Sequence, residues 1–180
     1  MRTAILAFSL LSAAMIAWTC SSGLTLDGRA AMMTHFVLGT ATAILCTFVH
    51  VLIMFYLIGT GIDIREAVKD DASLSDRFVP LTREFKRRVF PLATLSTAFI
   101  VLAALMGGEV HSRIIPRVSD GLFPVREVAA WWIHGAVVLL AVVLNATAFV
   151  AELRVARDNR AVIDEINRVL GDAAPTAGSA

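Results

Sequence analysis

Four histidines are the residues of this chain whose type and position could support redox or metal chemistry. His35 and His50 lie in one long apolar segment, His134 lies in another, and His111 follows a third. Ionisable residues at membrane depth are uncommon and usually face the interior of a helix bundle, so each histidine is a candidate functional residue. The alternative for each is a structural role, in which a neutral imidazole hydrogen-bonds a neighbouring carbonyl or hydroxyl.

Two of the apolar segments carry a stripe of polar and small residues if they are helical. At about 100° per residue, one stripe projects within about 60° of arc. Its members are His35, Gly39, Thr42, Cys46, His50 and Ile53. The other stripe consists of His134, Ala141, Asn145, Ala148 and Glu152. Small residues allow close approach and polar residues bond across helices, so we expect the two stripes to face each other.

The depths of the histidines indicate which of them could share a ligand. His35 lies about five residues inside the outer end of its segment and His134 about six, so both sit roughly 6–9 Å below the outer boundary. Two imidazoles at one level on two helices could clasp a haem iron, with Gly39 making room for the ring. His50 lies roughly 20 Å deeper than His35 and cannot share that iron. We expect His50, Asn145 and Glu152 to be further intramembrane polar residues.

Two well-separated histidines on one span, with a further histidine on another span, resemble the arrangement in di-haem membrane cytochromes b. In those proteins two histidines on each of two helices hold two haems. The resemblance implies haem b with His35 and His134 as axial ligands. The sequence departs from the pattern because the fourth span has no histidine at the level of His50, so a second haem would need a ligand from another chain. Arg113 and Arg117, in the outer loop, are expected to neutralise haem propionates.

The same region offers a second metal hypothesis. Glu109 and His111, together with His35 and His134, could form a copper, zinc or non-haem iron site at the outer surface. Residues two apart on a helix diverge by about 200°. This hypothesis therefore requires the backbone to leave the helix near the pair Gly107-Gly108. A third possibility is that no cofactor is bound.

The elements that must position these residues are four membrane-spanning helices. The 180 residues are 57% hydrophobic and 17% charged, whereas about a quarter of the residues in a soluble domain are charged. About 20 apolar residues cross the hydrocarbon core as a helix. Four segments qualify, and the chain is expected to be a single all-α four-helix membrane domain over residues 1–170 with a disordered tail at 171–180. The expected spans are residues 3–22, 30–62, 89–108 and 128–151.

The segments between and beyond the spans also carry helical patterns. Residues 63–88 are expected to form a partly helical cytoplasmic loop, with Pro91 in the first turn of the third span. Five apolar residues of this region could lie along the membrane surface: Ile64, Val68, Phe78, Leu81 and Phe85. The last helix is expected to continue beyond the membrane with one apolar face, formed by Val155, Val162, Ile166 and Val169.

The distribution of lysine and arginine predicts the orientation. With both termini in the cytoplasm, twelve of the sixteen basic residues lie inside and four lie outside, as the positive-inside rule requires. Trp18, Trp131 and Trp132 then lie near the outer interface. The abundance of arginine and alanine indicates a bacterial inner membrane. The first segment could instead be a signal peptide, although it has nearly full spanning length and no clean A-x-A cleavage site follows it.

These observations favour a b-type haem protein that acts as a membrane electron-transfer or anchoring subunit. The alternative is a non-redox subunit, assembly factor or scaffold of a larger membrane complex, and a transporter ranks third. Expected partners are membrane lipid, other membrane or peripheral redox subunits, or further copies of the chain, and no basic face indicates nucleic acid. The GxSxG, HExxH and P-loop motifs are absent, so an accessory role is favoured over an enzymatic one.

Overall fold

The computed structural model describes residues 2–26, 28–114 and 127–173, with only the backbone given for residues 2, 28–29, 111–114, 127–130 and 172–173. Within these ranges the chain forms four helices and no strand. The helices are α1 (Arg2–Leu24), α2 (Gly28–Ala67), α3 (Ala72–Ile114) and α4 (Glu127–Ala173). All four are long and apolar enough to cross a membrane. The predicted all-α fold is confirmed, and the chain has the character of a multi-pass membrane protein.

The helices pack as a bundle in which neighbours in the chain are neighbours in space. The most extensive interfaces join α3 to α4, α2 to α3 and α1 to α2, while α2 and α4 meet across the centre. We call the end with the α2–α3 turn the basal end and the opposite end the apical end. Because α2 and α4 lie on a diagonal, their polar stripes meet in the bundle core rather than along a shared groove.

Three of the helices are much longer than a bilayer requires. At about 1.5 Å per residue, α2, α3 and α4 measure roughly 60–70 Å, about twice the hydrocarbon thickness. The first helix, with 23 residues, is only about as long as the bilayer is thick. The three long helices therefore continue past the membrane at the basal end, and we call this part the basal extension.

The basal extension has its own small core. Ile64, Val68, Phe78 and Ile166 are each at most 3% exposed and pack against one another. Phe85 is buried in an adjoining cluster. Ile64, Val68, Phe78 and Phe85 therefore do not lie along the membrane surface, because α4 covers them; Leu81 alone of the five stays exposed. The predicted continuation of the last helix is present, and it provides this cover through Val155, Val162 and Ile166.

A tight turn joins α2 to α3, and Asp71 caps the N-terminus of α3. One oxygen of Asp71 accepts hydrogen bonds from the backbone N–H groups of Ser73 (2.9 Å) and Leu74 (3.1 Å). These bonds satisfy donors that a helix N-terminus leaves without partners. The N–H of Leu74, followed by the Ser73 side chain, lowers the pKa of the exposed Asp71 carboxyl. The Asp71 cap thus lets α3 begin directly after the turn, because its first backbone donors are already satisfied.

Two prolines lie well inside α3, which corrects the expectation that Pro91 occupies a first helical turn. The helix starts at Ala72, so Pro80 and Pro91 both interrupt an established helix. Each proline lacks the N–H that would bond the carbonyl four residues earlier. Both face away from the bundle, where this loss does not leave a buried carbonyl inside the core.

Truncating Phe78 to alanine should destabilise the basal extension by about 3–5 kcal/mol, as expected for a phenylalanine in a packed core. Phe78 is 2% exposed, whereas Phe55 in α2 is 69% exposed. The matched control Phe55→Ala should therefore change the free energy of unfolding by no more than about 0.5 kcal/mol. Denaturant unfolding in detergent measures both values. Equal effects would show that the extension does not pack as a unit.

The two ends of the bundle differ in their surface chemistry. Trp18, Trp131 and Trp132 lie near the apical ends of their helices and are 61%, 44% and 78% exposed. Exposed tryptophans toward one end of a helix bundle are typical of a membrane–water interface. The basal extension instead carries most of the arginine side chains, several in ion pairs such as Arg77–Glu165 at 3.3 Å between α3 and α4. These two surfaces indicate where the hydrocarbon region begins and ends.

Candidate functional site

His35 and His134 line the same space at the apical end of the bundle. Two adjoining cavities, of about 80 Å³ and 430 Å³, share both histidines among their lining residues. The other shared residues are Cys20, Gly107, Val138 and Val142. The structure therefore brings together two imidazoles that are about 100 residues apart in the sequence, inside a mainly apolar cavity to which all four helices contribute.

The two histidines lie at the same height in the bundle. Each lies about seven residues beyond the first residue of its helix, Gly28 for α2 and Glu127 for α4. At about 1.5 Å per residue, both are roughly 10 Å from the apical ends. Equal height on two helices is the condition that a ligand held between two imidazoles requires.

Hydrogen bonds determine the tautomer of His35. The Ser22 hydroxyl donates its proton to the carbonyl of Thr19 at 2.8 Å, so its oxygen can only accept from His35 Nδ1, which lies 3.0 Å away. Nδ1 therefore carries the ring proton and Nε2 carries the lone pair. A histidine that ligates a metal through one nitrogen usually donates from the other in this way.

His134 is held differently. Its Nδ1 atom is buried and, among the described residues, has no hydrogen-bond partner. The ring is only partly buried and faces the cavity. An imidazole nitrogen without a partner in an apolar setting is costly, so the position is one where a ligand or water would supply a missing interaction.

Two glycines make room for the imidazole rings. A Cβ atom on Gly23 of α1 would lie 2.8 Å from His35 Cε1, and one on Gly107 of α3 would lie 3.2 Å from His134 Cε1. Gly39 also lines the smaller cavity, but a Cβ there would make only an ordinary contact with Thr19 at 3.7 Å. Sequence reasoning missed Ser22, Gly23 and the packing role of Gly107, because nothing in the local pattern shows which ring will rest on which helix.

Gly23→Ala should displace His35 and destabilise the apical end by about 1–3 kcal/mol, the usual cost of overpacking. Gly135→Ala is the matched control, because Gly135 also lines the cavity but has no atom within 4 Å of an added Cβ. The control should be neutral or stabilise by up to about 1 kcal/mol, since alanine favours helix. Thermal unfolding of the two variants in detergent measures the difference; a Gly23→Ala protein as stable as the control would contradict this contact.

The other residues expected at this site are only partly described. Glu109 is buried, 7% exposed, and Arg113 lies in α3, while Arg117 and the side chains of His111 and Arg113 lie outside the described residues. The α3 backbone stays helical through Gly107 and Gly108 to Ile114, so the departure from the helix required by the site with Glu109 and His111 does not occur. Among the described side chains, no group of three or more His, Cys, Asp or Glu could hold a metal ion.

A second polar site lies deeper, where the stripes of α2 and α4 meet. His50 Nδ1 lies 2.6 Å from Glu152 Oε1, and His50 Nε2 lies 3.0 Å from Asn145 Oδ1. The ring stacks on Phe149 with centroids 5.3 Å apart. His50, Asn145 and Glu152 are each completely buried. The structure thus brings into contact the three deeper polar residues that sequence analysis singled out.

Comparison with known proteins gave no match to a protein-family model, to a curated protein or to a solved structure.

Proposed function

We propose that this protein binds haem b through His35 and His134 and acts as a membrane electron-transfer or anchoring subunit. The observation that supports it most is the apical cavity, where two imidazoles from α2 and α4 lie at one height and line one space. Such a pair is the donor set of a six-coordinate haem. On this proposal Nε2 of His35 would bind the haem iron, since its Nδ1 donates to Ser22.

The surroundings of the two histidines suit a large planar ligand. A cavity of about 430 Å³ falls within the range of about 300–1,000 Å³ that is usual for cofactor pockets. Its walls are mainly aliphatic, and an apolar, buried setting with axial histidines tunes the reduction potential of a haem. Arg113 and Arg117 are proposed to balance the propionate charges, and bound haem would supply one-electron chemistry.

The cellular setting is also a proposal. The basic residues of the basal extension support a cytoplasmic location for this end, with the haem site near the outer face. The abundance of arginine and alanine supports a bacterial inner membrane. The extension carries charged side chains past the apolar part of the bundle, an arrangement that suits contact with another membrane or peripheral redox subunit or a second copy of the chain.

An absorbance spectrum of the detergent-purified protein tests the proposal. We expect a Soret band, split α and β bands after reduction with dithionite, and a pyridine haemochrome characteristic of haem b at about one haem per chain. The cells must be supplied with a haem precursor so that haem synthesis does not limit loading. A colourless, metal-free and folded protein would refute haem binding and select the alternative, a non-redox membrane subunit, assembly factor or scaffold.

A further inference from the structure

A layer of polar side chains crosses the middle of the bundle, and every helix contributes to it. The layer comprises Ser9 and Ser12 of α1, His50 of α2, Ser96 of α3, and Asn145 and Glu152 of α4, none more than 3% exposed. Apolar clusters border it on both sides, one around Ile53 and Val155 and the other around Ile16 and Ile100. Burying polar side chains in hydrocarbon costs free energy. Each donor and acceptor in the layer is therefore expected to have a hydrogen-bond partner.

Hydrogen bonding determines how many protons the centre of the layer holds. The Asn145 amide nitrogen donates to the carbonyl of Ala141 at 2.8 Å, which directs the amide oxygen toward His50 Nε2 and requires a proton on that nitrogen. His50 Nδ1 and Glu152 Oε1, 2.6 Å apart, need one further proton between them. An imidazolium with a carboxylate, or an imidazole with a carboxylic acid, both meet this requirement, and both leave the pair without net charge.

Three oxygen atoms in the layer lack a hydrogen-bond partner among the described residues. They are Oε2 of Glu152 and the hydroxyl oxygens of Ser9 and Ser96, whereas the Ser12 hydroxyl lies beside the Cys46 thiol. Buried polar atoms of this kind are usually satisfied by ordered water. Water suits the layer better than a metal cation, because the His50–Glu152 pair is already neutral and a cation would add an uncompensated charge in hydrocarbon.

Access to the layer differs between the two ends of the bundle. On the basal side Ile5, Ile53, Leu57, Phe85, Val89 and Val155 close the core. On the apical side the cluster around Ile16 and Ile100 also contains Cys46, which lies one helical turn from His50 and beside Ser12, and Thr42 one turn further hydrogen-bonds Thr19 at 2.8 Å. Thr19 and Thr42 line the smaller apical cavity. The ionisable groups that face the layer are Cys46, His50 and Glu152, all of them on α2 or α4.

We propose that this layer is a proton-binding site, in which the His50–Glu152 pair holds one proton and buried water bound at Glu152 Oε2 exchanges it with the apical side. The pair that holds the proton is distinct from the proposed haem ligands His35 and His134, and only the apical route, through Thr19 and Thr42, shares a cavity with them.

Nitrogen NMR of the protein, labelled with ¹⁵N-histidine and held in lipid nanodiscs at pH 7, tests the proton count. We expect Nε2 of His50 to be protonated both in the wild-type protein and in Glu152→Gln. We expect Nδ1 to share a proton in the wild type and to lose it in the variant, because a glutamine amide can donate to a bare Nδ1. His35 is the internal control and should keep its Nδ1 proton. An Nδ1 signal of His50 that is identical in the two proteins would overturn the shared proton.

If Glu152→Gln fails to fold, the variant His50→Gln provides a second test of the shared proton. In His50→Gln the buried carboxyl loses its basic partner and should keep the proton itself, so infrared spectroscopy should show a carboxylic acid stretch that is absent from the His50→Gln/Glu152→Gln double variant. An ionised Glu152 in His50→Gln would count against the site.

Proton flux into liposomes tests the one-sided access. Ile53→Ser should breach the basal cluster and raise the flux at least about tenfold over wild type, which corresponds to about 1.4 kcal/mol of barrier. Ile44→Ser is the matched control, because Ile44 is 68% exposed on the same helix, and it should leave the flux at the wild-type value. Adding Glu152→Gln to Ile53→Ser should abolish the increase. An unchanged flux in Ile53→Ser, or an increase that survives Glu152→Gln, would overturn the proposed path.

Discussion

Replacing His35 or His134 by alanine is expected to remove haem from the purified protein, lowering the Soret absorbance per chain at least about tenfold. A bis-histidine site contributes two coordinate bonds, and losing one leaves an apolar cavity with a single ligand. The double variant should be colourless. His111→Ala is the control and should keep the full haem content, because the proposed site does not use that residue.

Loss of haem alone would not distinguish a lost ligand from a lost fold, so a conservative variant is needed. His134→Met offers a thioether in place of the imidazole and should retain haem with a higher reduction potential, since methionine ligation raises it. Redox titration of the haem bands measures this shift, and circular dichroism reports the helix content of each variant. Haem at the wild-type level in the His35→Ala/His134→Ala protein would refute the assignment of the two axial ligands.

Breaking the buried pair in the polar layer should strongly destabilise the protein. His50→Ala leaves Glu152 without its partner in the bundle core, where both side chains are completely buried. Removing one member of a buried pair typically costs about 3–5 kcal/mol, whereas replacing both by apolar residues of similar volume is often neutral or stabilising. The His50→Leu/Glu152→Leu protein should therefore be more stable than His50→Ala.

A double-mutant cycle on unfolding free energies in detergent tests this coupling. The cycle compares wild type, His50→Leu, Glu152→Leu and the double variant. We expect the two single losses to exceed the loss in the double variant, because the second substitution removes the group that the first left without a partner. Losses that simply add would show that His50 and Glu152 do not interact.

Local patterns were sufficient to predict the helices and the faces they bury. Runs of about 20 apolar residues predict membrane-spanning helices without reference to the rest of the chain. In hydrocarbon the backbone N–H and C=O groups can hydrogen-bond only to one another, which favours a helix. Helical periodicity placed His50 on one stripe and Asn145 and Glu152 on another, and these residues are in contact. Counting residues from the ends of the spans gave His35 and His134 equal depth, and both line the same two cavities.

Patterns failed where the result depended on how one helix rests on another. Residues 63–88 have a moderately apolar face that suits a membrane surface. In the structure this face is buried, because Ile166 of α4 packs against it. Pro91 resembles a helix start, but α3 begins at Ala72, because the basal extension holds the preceding turns in place. Ser22 and Gly23 became recognisable as support for His35 only once α1 was packed against α2.

Sequence alone therefore determined the membrane-spanning all-α class, the number of spans and the buried polar stripes. These follow from the free energy of transferring each residue to lipid, a property of short segments. The tertiary structure decided that α2 and α4 oppose each other across the centre, that Gly23 and Gly107 accommodate the two imidazoles, and that His50 bonds both Glu152 and Asn145. These depend on helix rotation and relative height, which the packing of all four helices sets together.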